Sequence, residues 1–301
     1  MRKVKISIIE PAGAPDRVAL AKNIQDLEQR AFHVRHTPTS PESGWTYASG
    51  PAQHRCAALS DALGDKDSDY VIAARGGYGA SDLLPLLDWD QLAAMHPKCL
   101  IGLSDITALQ VALYARLGWR GLHAVMPGGS LWHPGTWHTE HLLDLLGRGL
   151  PWHESLAVEP VGTKATERPV EGVLLGGCLA VLTSLIGTPY LPVSWKGIIL
   201  FIEDTNENPG RLMRYWNQWQ QCGVLNGLHA VLVGQLTGIS ERADVLAQFA
   251  RRSPCPVYSC ELFGHQTPSF AIGQGAHARI AGDKLHWEID QLRTPPARSS
   301  G

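Results

Sequence analysis

Short apolar runs that stop at glycine- or charge-rich turns, each followed by a stretch with helical spacing, set the rhythm of the first half of the chain. Val4–Ile9 ends at Glu10-Pro11-Ala12-Gly13, and Asp16–Phe32 follows with helical periodicity. Tyr70–Ala74 runs into Arg75-Gly76-Gly77-Tyr78-Gly79. Leu100–Leu103 repeats the arrangement, with a turn at 102–105 and helical spacing over Asp105–Arg116. Strands alternating with helices predict an α/β fold with a parallel, doubly wound sheet in this half. Ligands of such sheets gather at the carboxyl ends of the strands. Both the glycine turn at 75–79 and the serine turn at 102–105 fall there.

Between Pro151 and Pro169 the periodicity weakens and Glu, Thr, Lys and Pro accumulate. This divides the chain into a first domain over 1–155, a linker over 156–169 and a second domain over 170–292. A length of 301 residues suits two cores better than one. The second half is expected to hold a glycine-rich turn at Leu174–Cys178, a strand at Gly197–Ile202 and an amphipathic helix over Arg211–Cys222. A strand at Ala230–Gly234 follows, then strands and turns within 257–290. The Pro/Ser-rich tail 293–301 is expected to be disordered.

Composition narrows the function. Hydrophobic residues make up 44% and charged residues 18%, with a net charge of -2, and no basic stripe marks a nucleic-acid surface. A small molecule is the better partner. The basic N-terminus precedes only Ile6–Ile9 before Glu10 and Pro11, short of the roughly 7–15 apolar residues of a signal peptide. No apolar run approaches the roughly 20 residues of a membrane span. Six cysteines without a C-x-x-C pair suggest reduced thiols in a cytoplasmic protein.

Several residues could carry chemistry. Ser104, in Gly102-Leu103-Ser104-Asp105, stands at a strand-to-helix turn. There a hydroxyl is exposed beside backbone N–H groups able to receive an oxyanion, although Ile106 occupies the place of the second glycine in G-x-S-x-G. Capping of the following helix is the plainer role for Ser104 or Asp105 on local grounds. The turn at 75–79 lets backbone approach a ligand, but its G-G-x-G spacing is not the dinucleotide fingerprint. Glu203 and Asp204 close an apolar strand, where a carboxylate can orient an imidazole. His265 follows Leu262-Phe263-Gly264. His133, His138 and His141, with His123 upstream, form a rival cluster, but their spacing lacks the metalloprotease pattern. The segment reads as a surface loop and helix start.

Five stretches together resemble the LD-carboxypeptidases, serine peptidases that include the murein tetrapeptide carboxypeptidases and the microcin-immunity peptidases. They are ARGGYGASDLLPLLDW (74–89), GLSDITALQ (102–110), LLGGCLAVLTSLIGTPYLP (174–192), ILFIEDTNENPGRLMRYWNQWQQCGVL (199–225) and FGHQTPSFAIGQGAHARI (263–280). The resemblance implies a flavodoxin-like N-terminal domain, a smaller β-rich C-terminal swivelling domain and a site between them. It implies Ser104 as nucleophile, Glu203 as orienting acid and His265 as general base. The oxyanion hole would use the N–H groups of Gly77 and Asp105, with Gly76 the neighbouring alternative. Arg75, Gly76 and Tyr78 are the candidates for binding substrate, Arg75 through a terminal carboxylate. Neither a cofactor nor a metal is implied.

The implied substrate is a muropeptide: the murein tetrapeptide, losing its terminal D-Ala during cytoplasmic cell-wall recycling. Cys178 stands where the family commonly has Asn, the loop after His265 is altered, and the turn at Glu10–Gly13 lacks the usual Ser. These departures bear on substrate fit. Three rivals stand beside this reading: an immunity-type peptidase cleaving a peptide-nucleotide toxin, a non-catalytic anion-binding protein, and a metal hydrolase built on His133–His141. The short segment from Glu203 to Arg211 leaves little room for a long substrate loop and favours the murein branch. The sequence leaves open whether the chain forms a homodimer.

Overall fold

The computed structural model describes residues 3–40, 47–164 and 168–294. The apolar runs of the first half become β1 (Val4–Ile9), β2 (Phe32–Thr37), β3 (Tyr70–Ala73), β4 (Cys99–Gly102) and β5 (Gly121–His123). They are parallel, in the order β2-β1-β3-β4-β5, so the winding reverses between β1 and β3. All four residues of β3 and of β4 are buried, as expected of strands covered on both faces. The cover comes from α1 (Arg17–Gln29), α2 (Ala52–Gly64), α3 (Trp89–Ala94), α4 (Thr107–Leu117) and α5 (Trp137–Arg148).

α1 begins where the Asp16 carboxylate accepts the Val18 and Ala19 N–H groups, each at 2.9 Å, the usual way a helix start is satisfied. It stops before Phe32. Ala31 takes a left-handed φ of 70°, and Phe32, expected as the last helical residue, instead opens β2 at the sheet edge.

The second half forms a sheet of eight strands. They are β6 (Trp152–Ala157), β7 (Glu159–Val161), β8 (Val170–Cys178), β9 (Ile198–Thr205), β10 (Ala230–Thr237), β11 (Val257–Ser259), β13 (Ala276–Ala281) and β14 (Lys284–Ile289), with β12 (Ile272–Gln274) lying elsewhere. The order is β6-β14-β13-β8-β9-β10-β11-β7. β8 to β11 are parallel and the outer strands antiparallel. Helices α6 (Leu179–Ser184), α7 (Pro209–Gln221) and α8 (Arg242–Arg252) accompany the parallel part. α7 buries Leu212, Trp216 and Trp219 in a second hydrophobic cluster of its own. β6 and β7 hold opposite edges of the sheet, yet only Val158 separates them. The sheet therefore curls until its two edges come close together.

That curl corrects the expected linker. Residues 156–157 and 159–161 pair within the second sheet. The outer faces of β6 and β7 carry His, Glu and Pro, which hid a strand whose buried positions are Trp152 and Leu156. The expected turn at Leu174–Cys178 is likewise the end of β8. Its glycines answer close packing: a Cβ on Gly176 would lie 1.7 Å from the Phe201 carbonyl oxygen of β9.

The two halves are stitched together. β12 leaves the second half and pairs antiparallel with β5, at the edge of the first sheet, setting Ile272 opposite His123. The Gln274 side chain then exchanges two hydrogen bonds with the Gly176 backbone, at 3.0 and 3.2 Å. Arg293 and Thr294, expected within a disordered tail, are tied down. Thr294 N–H donates to Gly118 O at 2.8 Å, and Arg293 bridges Trp119. The rest of that tail, 295–301, lies outside the described residues. All six cysteines are unpaired, and only Cys222 is exposed. Among the described residues no helix is long and apolar enough to cross a membrane.

Gly176→Ala should therefore cost about 3 kcal/mol or more of stability, at or beyond the usual penalty for overpacking. Gly147→Ala, in α5 with nothing within 4 Å of the new methyl, should instead gain about 0.5–1 kcal/mol from helix propensity. Paired chemical denaturation curves check both signs.

Candidate active site

Three turns meet at the carboxyl ends of β1, β3 and β4. Gly13 N–H donates to Gly76 O at 3.0 Å, locking the turn after β1 onto the glycine turn after β3. Gly76 lies so close to Ser104 that a Cβ there would stand 2.7 Å from the serine Cβ. The glycine turn is clamped at its far end as well. The buried Arg55 guanidinium donates to Pro11 O at 2.7 Å and to Gly79 O at 2.6 Å. The Asp105 carboxylate accepts the Ala80 N–H at 2.8 Å. Ser104 itself holds a left-handed φ of 64°, a conformation that costs a non-glycine residue roughly 1–3 kcal/mol and collects at functional turns.

The second half brings an acid and an imidazole to the same place. Glu203, at the end of β9, is completely buried, and its Oε2 lies 2.5 Å from His265 Nδ1. Burial pushes the Glu203 carboxyl up, but the charge and hydrogen bond of His265 outweigh it and hold it below the usual range. Burial pushes His265 down, and the Glu203 charge reverses that, so the imidazole titrates above its ordinary value.

The loop carrying His265 hangs on Gln235, a buried polar residue within the apolar strand β10. Its amide donates to Glu261 O at 2.8 Å and Pro268 O at 2.9 Å, and accepts the Gln266 N–H at 2.6 Å. Ser269 Oγ donates to Gly264 O at 2.7 Å. Sequence reasoning missed Gln235, although a lone amide inside AVLVGQLT was a visible signal.

A cavity of about 750 Å³ opens over this arrangement. Arg75, Gly76, Gly77, Ser104 and His265 line it, together with Trp132. Arg75 Nη1 also donates to Ala14 O at 3.0 Å. Tyr78 is 72% exposed and outside the cavity lining, and the Asp105 side chain turns back to Ala80. Cys178 is buried, its thiol donating to Asp204 Oδ1 at 3.5 Å. The rival histidines do not converge: His138 Nε2 meets Leu131 O at 2.8 Å, while His141 Nε2 meets Glu154 Oε2 at 2.8 Å. Among the described residues no group of three or more His, Cys, Asp or Glu is placed to hold a metal ion.

Comparison with known proteins converges on one family. The LD-carboxypeptidase N-terminal domain matches residues 6–124, and the LD-carboxypeptidase C-terminal domain matches 171–280. The murein tetrapeptide carboxypeptidase of Pseudomonas aeruginosa is 30% identical over 94% of this chain and 95% of its own. The microcin C7 self-immunity protein of Escherichia coli is 25% identical over 93% of this chain and 91% of its own. Among solved structures, the muramoyltetrapeptide carboxypeptidase of Oxalobacter formigenes superposes with a TM-score of 0.82 at 25% identity. That match covers 97% of this chain and 100% of the other.

The Asp105 clamp has a measurable signature. Burial raises its carboxyl to about 6, against 3.8 for the ordinary side chain. Between those values the folded protein holds more proton than the unfolded chain, so this group makes stability fall as pH rises from about 4 to 6. Asp105→Asn keeps an acceptor for Ala80 and removes the buried charge. It should raise the thermal midpoint at about pH 7.5, with the gain vanishing below about pH 4. An equal gain at every pH would contradict the assignment.

Proposed function

The chain belongs to the LD-carboxypeptidase family of serine peptidases, and from that premise we propose that it releases terminal D-Ala from the murein tetrapeptide. Ser104 is the nucleophile in this reading, His265 the general base and Glu203 the acid that orients it. One observation carries it: a solvent-free carboxylate is hydrogen-bonded to Nδ1 of an imidazole that lines the same cavity as a serine in a left-handed turn. That is the order of parts by which a hydroxyl is activated for acyl transfer.

The chemistry follows from those parts. His265 takes the Ser104 proton as Oγ attacks the carbonyl carbon of the L,D-amide. Glu203 keeps Nδ1 protonated and stabilises the imidazolium that forms. The tetrahedral oxyanion is received by the N–H groups of Gly77 and Asp105, where losing one donor costs about 10²–10³ in rate. The imidazolium returns its proton to the departing amine of D-Ala. Water, deprotonated by His265, then cleaves the acyl ester and regenerates the hydroxyl. Arg75, on the cavity wall, is suited to the carboxylate of the leaving residue. The cavity is roomy enough for a peptide end, within the range of about 300–1,000 Å³ common to small-ligand sites. The reading places the enzyme in cytoplasmic cell-wall recycling.

Incubation with purified murein tetrapeptide, followed by mass spectrometry, should show loss of one alanine. Ser104→Ala should lower that rate by at least about 10³-fold. Because the base must be neutral to act and His265 titrates above its ordinary value, kcat/KM should fall on the acid side of a midpoint higher than that of an unperturbed histidine. Undiminished turnover in Ser104→Ala would end the triad assignment. Turnover of an aminoacyl-sulfamoyl nucleotide with none of the tetrapeptide would overturn the substrate.

A further inference from the structure

The buried acid has a second neighbour to which the triad gives no role. His123 ends β5 completely buried, with its Nε2 3.7 Å from Glu203 Oε1. Neither ring nitrogen of His123, nor Glu203 Oε1, has a hydrogen-bond partner. The ring is held by aromatic edges, with Phe201 at 5.5 Å and 75° and Phe263 at 6.4 Å and 89°. Phe201 precedes Glu203 by two residues on β9, and Phe263 precedes His265 by two on its loop. The cage around His123 is therefore built from the same segments that present the acid and the base. Its backbone is fastened equally closely. β5 sets His123 opposite Gly102, two residues before Ser104, and opposite Ile272 of β12.

Burial drives the His123 imidazole down to about 4, so near neutrality it has one N–H and one lone pair. The titratable groups acting on it are Glu203 and His265. A neutral ring can donate to the carboxylate without adding a second positive charge to the pair.

We propose that His123 is a positioning residue for the Glu203–His265 pair: as its Nε2–H tautomer it donates to Glu203 Oε1 and fixes the rotation of the carboxylate, leaving Oε2 aimed at His265 Nδ1. The inference rests on the triad reading given above. The 3.7 Å separation is about 0.7 Å longer than a typical N–H···O hydrogen bond, so the proposed contact requires a small approach of the His123 ring and the carboxylate. Catalytic hydrogen bonds are commonly long without substrate and tighten in the complex. The arrangement also explains why a histidine stands in an otherwise apolar setting, since a phenylalanine would fill the cage equally well.

His123→Phe separates shape from donation. On the tetrapeptide it should lower kcat about 10–100-fold, as a slightly misaimed catalytic group does, with KM within about twofold. The acid limb of kcat/KM should move to higher pH, because a carboxylate without its second donor leaves more charge for His265. His123→Gln should recover part of kcat. In the intact wild-type protein, nitrogen-15 histidine NMR should show His123 as the neutral Nε2–H tautomer from about pH 5 to 9, with its shift following the His265 titration. An Nδ1–H tautomer or an imidazolium in that range would overturn the proposal, as would wild-type kcat and pH profile in His123→Phe. Failure of the triad itself has a different mark: Ser104→Ala would keep its activity while the His123 tautomer stayed as described.

Discussion

A carboxylate removed from all solvent cannot stay charged without close partners, and Glu203 is such a carboxylate. An isolated buried charge would be neutralised by protonation, yet Glu203 titrates below the ordinary range because His265 lies 2.5 Å from its Oε2. The same contact lifts His265. His265 keeps Glu203 ionised, Glu203 makes His265 a stronger base, and the pair survives only where the protein fixes both side chains. Much of the surrounding structure does that.

Two sheets supply the fixing. Glu203 rides on β9, buried along nearly its whole length, so the acid has a rigid carrier. His265 sits on a loop, which rigid strands cannot hold directly. There Gln235 replaces a missing ladder with three side-chain hydrogen bonds to the loop backbone. The register of β10 shifts between Val233 and Leu236, the irregularity that contains Gln235. β12 then carries the chain from that loop to the edge of the first sheet, next to the strand neighbouring the Ser104 turn. Ser104 and the Glu203–His265 pair come from different halves, which β12, Gln274 and residues 293–294 tie together.

What was legible in the sequence depended on whether function lay in local patterns or in tertiary ones. Apolar runs ending at turns revealed the parallel sheet, and with it the placing of the glycine and serine turns at one sheet edge, because those strands are buried on both faces and read as unbroken hydrophobic stretches. β6, β7 and the end of β8 escaped. Their patterns are broken by polar outer faces in the first two, and in β8 by glycines that look like a turn but permit the approach of β9. Ser104, Glu203 and His265 could be named through motif order, whereas on local chemistry Ser104 was better explained as a helix cap. Arg55 and Gln235 were not named, and His123 was named only beside the rival histidine cluster, since nothing near them in sequence says which loop or carboxylate they will meet. Tyr78 shares the glycine turn, but its side chain is largely exposed.

The account stands on Ser104 being a nucleophile activated by the Glu203–His265 pair. Labelling with a fluorophosphonate, which captures activated serines, tests this without assuming a substrate. Trypsin would release the segment from Cys99 to Arg116, whose one serine is Ser104. The predicted result is a stoichiometric phosphonate on that peptide, formed at a rate that declines with acidification as His265 becomes protonated. An unlabelled Cys99–Arg116 peptide, or labelling whose rate ignores the ionisation of His265, would contradict the account.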